Sequence, residues 1–386
     1  MLFAGILKIM EELEQLIGNL VAINSVNPDL VPGAPGEAEI AHYIAHWLEQ
    51  AGMEVQLIES VPGRPNVIGI SRGTGGGKTL LLNSHMDTVG AGGMPHPHQP
   101  VIRDGRLYGR GAYDMKGGLA ACMCAAAAAL KQRLRGDVIF TAVIDEEYAS
   151  LGTQELAKRF HADGAIVAEF TELQLILAHR GFVWLEIKTI GRAAHGSRPD
   201  LGLDAIVKMG KVLVELEKLD LNLRSNPTHP LLGSASLHAS LIQGGHELST
   251  YPDRCLLTME RRTLPGETPG KVEAEILGIV EELRCSDPSF HAVVRRGIDR
   301  APLETPPQAG IARAVQAAAE KVLKRPLPIA GVPFWTDASL LSAAGIPSIL
   351  LGPSGGGAHA DEEWVDLSSV RVCTELYLAV AVEFCQ

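Results

Sequence analysis

The sequence predicts an α/β fold: a mainly parallel sheet with helices on both faces, interrupted by an inserted α+β domain. Three observations predict it. Helical and strand patterns alternate from the start to about residue 181, the middle then reads β-α-β-β-α-β, and from about 296 the first pattern resumes. At 386 residues the chain exceeds what one hydrophobic core usually covers, so the division is a first domain over 1–181 and 296–386 with an insertion over 182–295.

The elements follow in order. MLFAGILKIMEELEQLIGNL opens apolar but carries Lys8 and turns acidic, with no small-residue cleavage site, which predicts an amphipathic helix in place of a signal peptide. EAEIAHYIAHWLEQAG is a helix stopped by Gly52. Its His42 and His46 have the spacing of a helical zinc site, but Tyr43 stands where that motif needs glutamate, so both are read as surface residues. Strands follow near EVQLIE and NVIGIS. GTGGGKT, 73–79, is no phosphate loop, because Arg72 replaces its first glycine and a strand follows it; a hairpin turn is expected. Next come a strand over 79–84, a rigid Pro-rich loop MPHPHQP, a helix over 114–133 and a strand over 137–145.

The middle segments FVWLEIKTIG, LGLDAIVKMGKVLVELEKL, SASLHASLIQGG, RCLLTMERRTL, GKVEAEILGIVEELR and FHAVVRRG alternate strand and helix as a split βαβ unit. IARAVQAAAEKVLKR then reads as helix and IPSILLG as strand.

Several apolar runs are closed by residues that bind metal well. TLLLNSHMD ends on His85 and Asp87, DVIFTAVIDEE on Glu146 and Glu147, GAIVAEF on Glu169, and IPSILLGPSGGGAHA runs to His359, while Asp114 opens a helix after LYGRGAYD. In an open α/β sheet, ligands bind outside the carboxyl ends of the strands, so these residues converge despite their separation. Taken singly, His85 and His359 would be structural histidines, Asp114 an N-cap and Glu169 a strand end; their joint placement overrides those readings. Imidazole and carboxylate ligands suit two divalent ions, Zn²⁺ first, with Co²⁺ or Mn²⁺ as alternatives. Two such ions roughly 3.5 Å apart can share a hydroxide, which then needs a carboxylate as proton shuttle. Successive residues at a strand end point opposite ways, so of Glu146 and Glu147 one can ligate while the other stays free as base.

At SHMDTV, GRGAYDMKGG, IDEEYASLGT, VAEF, GRAAHGSRP, MERRTLPGE, FWTDASLLSAAGIP and GGGAHADEEWV the chain resembles the zinc aminoacylases and carboxypeptidases that include acetylornithine deacetylase, succinyl-diaminopimelate desuccinylase and the carboxypeptidase G type. The resemblance implies a two-metal aminopeptidase-like catalytic domain and a ferredoxin-like lid and dimerisation domain. It implies that His85, Asp114 and Glu169 hold one ion, that Asp114, Glu147 and His359 hold the other, and that Glu146 is the general base, with Asp87 orienting His85. It also implies a cis peptide bond after Asp114, where Met115 follows. His195 would donate to the tetrahedral oxyanion from the partner subunit of a homodimer, and Arg262 would grip a substrate carboxylate, with Arg261 on the opposite strand face. Gly357, in GGGAHA, is a further substrate-contact candidate. Ser249, in ELSTYPD, stands where many relatives carry asparagine, which alters the substrate contact there because a hydroxyl reaches less far than an amide.

The implied reaction is hydrolysis of the amide bond of an N-acyl amino acid by a metal-bridging hydroxide. A dipeptidase, carboxypeptidase or aryl-amine hydrolase of the same architecture is the alternative, and a non-catalytic binding protein is disfavoured because every ligand position is filled. The net charge of −11 argues against nucleic acid as partner. No apolar stretch reaches the ~20 residues of a membrane span. The six cysteines lack paired CxxC spacing and read as reduced packing residues of a cytoplasmic protein.

Overall fold

The structure is a computed structural model that describes residues 2–386, with side chains from Glu12 onward. The chain forms two compact units. The first runs to Leu177 and takes up again over Thr305–Ala330 and Thr336–Gln386; the second comprises Ala178–Glu304 with Gly331–Trp335. The second is thus wider at both ends than the stretch 182–295 expected for the insertion, because residues 178–181 and 296–304 add to it, as does the separate segment Gly331–Trp335.

The central sheet of the first unit is mixed α/β in its layering and mostly parallel at its centre. Its strands run in the order Glu54–Val61, Arg64–Ser71, Val138–Val143, Leu80–His85, Gly164–Val167, Ser348–Leu350, Leu175–His179. The four from Val138–Val143 to Ser348–Leu350 are mutually parallel, whereas the strands flanking them pair antiparallel. The antiparallel flank has a local cause: only Pro62 and Gly63, the latter at φ 76°, separate Glu54–Val61 from Arg64–Ser71, and a two-residue loop can join only antiparallel neighbours. Every residue of the four parallel strands is buried, as expected of strands covered on both faces.

The segment GTGGGKT is not a hairpin turn. Val138–Val143 lies between the strands it connects, so the loop crosses over instead. A Cβ on Gly77 would sit 2.3 Å from the Gly136 nitrogen, and that backbone crossing explains glycine there.

The Ala-rich helix is shorter than expected. It spans Gly117–Ala129, continues as a single 3₁₀ turn Leu130–Gln132, and is preceded by a distorted turn at Ala112–Lys116. It is apolar on all sides and buried on nearly all of them, with alanines allowing close approach of Leu367–Phe384. The expected amphipathic first helix spans Leu2–Ala22 and buries Leu13, Leu16, Ile17, Leu20 and Val21 at helical spacing. Among the described residues no helix is long and apolar enough to cross a membrane.

The second unit is the β-α-β-β-α-β sequence Gly181–Ile190, Ala205–Ser225, Ser236–Gly244, Arg254–Thr263, Pro269–Ser286, His291–Arg300. Its antiparallel strands lie in the order Ser236–Gly244, Arg254–Thr263, Gly181–Ile190, His291–Arg300, the ferredoxin-like arrangement. Val183, Leu185 and Ile187 alternate inward onto Met209, Val212 and Ile276 of the helices. Asp204 and Thr268 cap those helices by accepting from the Val207 and Lys271 amides.

Candidate metal centre

His85 closes the Leu80–His85 strand and is buried at 2% exposure. Its Nδ1 lies 3.0 Å from the backbone carbonyl of Asp87 and 3.5 Å from that residue's carboxylate. A carbonyl can only accept, so Nδ1 carries a proton, and Nε2 is the nitrogen free to exchange its proton for an ion. That nitrogen faces Asp114 Oδ1 at 3.1 Å and Glu169 Oε1 at 3.9 Å. The other Asp114 oxygen lies 3.2 Å from His359 Nε2, which in turn lies 3.1 Å from Glu147 Oε2. The expected ligand set therefore collects into two groups, His85 with Asp114 and Glu169, and Asp114 with Glu147 and His359, the candidate ligand atoms in each lying within 4.8 Å of one another.

The chain positions these groups differently. Glu169 follows Gly164–Val167 by two residues. His359 sits at φ 62° in the turn after Gly357. Asp114 is not a helix N-cap: it has φ −116° and ψ 92°, the α-helix starts three residues later, and the Asp114–Met115 bond is cis. Glu146 and Glu147 are also placed otherwise than by strand alternation. The strand ends at Val143, Asp145 turns the chain at φ 66°, and the two glutamates stand on the turn that follows. The Asp87 carboxylate holds that turn, accepting from the amides of Glu146 at 3.1 Å and Glu147 at 3.2 Å.

The electrostatics are those of a cation site. Burial and the charge of Asp114 push Glu147 up to about 7, and burial with the charges of Asp114 and Glu147 pushes Glu169 up to about 8, against partial relief from His85. Burial, then the Glu169 charge, raises Glu146 well above the usual carboxylate range. His359 is pushed up to about 10 by its hydrogen bonds to Asp114 and Glu147. Glu147 Oε1 is buried without a hydrogen-bond partner, an acceptor that a cation would satisfy. A crowd of carboxylates that raises the proton affinity of both imidazoles fits divalent ions, which would take the place of these protons.

His195, Ser249 and Arg262 belong to the second unit. His195 is exposed, with Nδ1 at 2.7 Å from Ser197 Oγ, and its backbone pairs with Thr250. Ser249 is exposed and its carbonyl accepts from the Gly196 amide at 2.7 Å. Arg262 is half-buried, stacks over Phe182 and donates from Nε to Glu260 at 2.6 Å, while Arg261 points to the other strand face and is fully buried against Glu267. Gly357, at φ 78°, has a backbone reason for being glycine, since a Cβ would sit 1.8 Å from the Glu362 carbonyl.

Sequence reasoning missed the supports of the centre. Asn27 donates to Asp87 at 2.8 Å and to Asp145 at 3.0 Å, and Arg64 pairs bidentately with buried Glu37 while reaching Asp29 and Asp145. Asn27, Glu37 and Arg64 fall in no motif. Glu363 and Asp337 do fall in resembling segments, GGGAHADEEWV and FWTDASLL, where an acidic residue beside the ligand-bearing ends was the available signal. Burial raises Asp337 to about 6, its hydrogen bonds to Thr153 and Ser150 opposing the shift.

Comparison with known proteins gives a consistent picture. Residues 81–383 match the model of peptidase family M20/M25/M40. The chain is 31% identical to an N-formyl-4-amino-5-aminomethyl-2-methylpyrimidine deformylase of Bacillus subtilis, with 97% of this chain and 95% of the relative covered. It is 28% identical to an acetylornithine deacetylase of Myxococcus xanthus, with 97% of each covered. The fold matches that of the aminopeptidase PepT of Bacillus cereus at a TM-score of 0.80, with 20% identity over 98% of this chain and 99% of the other.

Proposed function

The chain belongs to peptidase family M20/M25/M40 and is a metallohydrolase of C–N amide bonds, and on that premise we propose that its substrate is a small N-acyl amino acid, from which it removes the acyl group. The observation that carries the reading is Asp114, which turns one carboxylate oxygen to His85 and the other to His359 and so would be a ligand common to two ions. His85 and Glu169 would complete one site, Glu147 and His359 the other, with Zn²⁺ as first choice and Co²⁺ or Mn²⁺ as alternatives. When bound, the ions supply Lewis acidity that polarises an amide carbonyl and lowers the pKa of water.

The side chains supply the rest. Glu146 takes the proton of the attacking water and delivers it to the leaving nitrogen, a role suited to a half-buried carboxylate whose proton affinity is raised by desolvation and then by the Glu169 charge. Asp87 holds Glu146 in place through its backbone amide. His195 donates to the oxyanion. It comes from a partner copy, the chains associating as a homodimer through their second units. The exposed edge strand Ser236–Gly244, with Leu241 and Ile242 at its surface, supports such pairing. Arg262 receives a substrate carboxylate in exchange for Glu260, with Ser249 and Gly357 as further substrate contacts. The six unpaired cysteines support a reducing compartment, and a cytoplasmic location is part of this reading.

A second reading has a specific observation in its favour. Arg262 already has a carboxylate partner in Glu260, so an N-formyl or N-acyl amine without a carboxylate needs nothing from it. The name of the Bacillus subtilis relative denotes such a substrate. Hydrolysis of N-acetyl, N-succinyl, N-benzoyl and N-formyl amino acids, simple dipeptides and N-formyl aminomethylpyrimidines by Zn²⁺- or Co²⁺-loaded protein, with a chelator control, decides between them. Chelator-sensitive release of acyl groups from amino acids supports the first reading, and turnover of the pyrimidine alone supports the second. Cleavage of dipeptides alone contradicts both.

A further inference from the structure

Glu363 is 1% exposed, and among the described residues the hydrogen bonds its carboxylate accepts come from one short segment. Oε1 accepts from the amides of Tyr113 at 2.9 Å and Asp114 at 3.0 Å, while Oε2 accepts from the Gly111 amide at 3.0 Å and from Arg110 Nη1 at 2.7 Å. The acceptor capacity of an ionised carboxylate is thus used on the turn that presents Asp114. These amides need an external acceptor, because Asp114 and Met115 leave helical geometry and the regular helix begins only at Gly117.

The same contacts bind the segment of His359 to the segment of Asp114. Glu363 lies four residues beyond His359, and its own carbonyl accepts from the Gly109 amide at 3.1 Å. Arg110, also 1% exposed, pairs with Glu363 and donates from Nη2 to the Ala360 carbonyl at 2.8 Å. One buried ion pair therefore locks two stretches of chain whose functional ends, Asp114 Oδ2 and His359 Nε2, lie 3.2 Å apart.

We infer that Glu363, with Arg110, is a positioning residue that sets the spacing of Asp114 and His359, and hence the affinity and geometry of the site that these two share with Glu147. Its carboxylate acts through the turn that carries Asp114. The inference rests on the reading of Asp114 as a ligand. Groups that orient metal ligands typically contribute about 10–100-fold to metal affinity when replaced. Gln in place of Glu363 keeps the size but turns an NH₂ group toward an N–H donor, so at least one of these contacts becomes a donor facing a donor.

The test is titration of the metal-free full-length protein with Co²⁺, followed by calorimetry and by the visible absorption of the bound ion, on wild type, Glu363→Gln, Glu363→Asp and Asp114→Asn. The expected result is a loss of about 10–100-fold in affinity for one of two ions in Glu363→Gln, with an altered Co²⁺ spectrum. The metal-free thermal transition should stay cooperative, and Glu363→Asp should restore part of the affinity. Unchanged affinity and spectrum in Glu363→Gln, while Asp114→Asn loses metal, overturns the positioning role and leaves Asp114 standing. Unchanged metal binding in Asp114→Asn overturns the ligand reading and the inference with it. If Glu363→Gln does not fold, the Asp variant decides, and wild-type Co²⁺ affinity and spectrum there overturn the proposal.

Discussion

Asp87 accepts a hydrogen bond from the backbone amide of Glu146 at 3.1 Å, although 59 residues separate them. The same carboxylate accepts from the Glu147 amide and from Asn27, and it lies beside Nδ1 of His85. Asp87 thus ties the candidate base, two candidate ligands and the turn between them to one buried anchor.

Two substitutions separate the anchor from the base. Glu146→Gln should lower kcat by at least ~10²-fold while metal content stays at the wild-type level, because only proton transfer is lost. Asp87→Asn turns an NH₂ group toward amide donors and should lower metal affinity as well as kcat. Steady-state kinetics with metal analysis on both variants checks this; a Glu146→Gln enzyme of near-normal turnover would assign the base elsewhere.

Arg64 is the countercharge of a buried acidic cluster that includes Asp145, the residue before Glu146. Its side chain is 9% exposed, and it pairs with Glu37 and Asp145, both fully buried. Arg64→Met should destabilise the fold by about 3–5 kcal/mol, since breaking a buried pair leaves uncompensated charge. Urea unfolding of the metal-free variant measures this, and a loss under about 1 kcal/mol would show that solvent reaches these carboxylates.

Metal uptake should release protons. In the metal-free protein His359 is raised to about 10 and Glu147 to about 7, so both hold protons at pH 7 to a substantial degree, and an ion binds only their deprotonated forms. Affinity should therefore rise with pH through neutrality toward pH 10, and fall as pH drops. Calorimetry in buffers of different ionisation enthalpy counts the released protons; pH-independent binding between 6 and 9 would be inconsistent with the shifts.

Arg262 distinguishes the two substrate readings. Arg262→Met should raise KM for N-acyl amino acids by about 10-fold or more, the scale of a charge-assisted bidentate contact, and leave N-formyl amines unaffected. Equal kinetics for both classes in the variant would remove Arg262 from substrate recognition.

The sequence and the structure agree most where periodicity and chemistry coincide. The parallel centre of the sheet and the split βαβ order were readable because apolar runs and helical spacing are local properties. His85, Asp114, Glu147, Glu169 and His359, which the structure brings into two groups, were expected together because metal-binding residue types follow the apolar runs. The antiparallel flank and the crossing loop at 73–79 were not, since strand neighbours are set by long-range pairing that local pattern does not encode. Asn27, Glu37 and Arg64 were hidden for a related reason: each acts by burial and hydrogen bonding to residues distant in sequence, with no spacing to mark them. The turn bearing Glu146 was misread as strand because Asp145, at φ 66°, breaks the pleat where the residue types alone permit its continuation.

Asp114, in the function proposed here, would be a ligand shared between two ions. Its most direct test is the metal content of full-length protein and of Asp114→Asn after equilibration with Zn²⁺ and removal of the excess. Two ions per chain in the wild type, with at least one lost in the variant, is the predicted result. A wild-type chain that retains no transition metal, or a variant that retains as much as wild type, would contradict it.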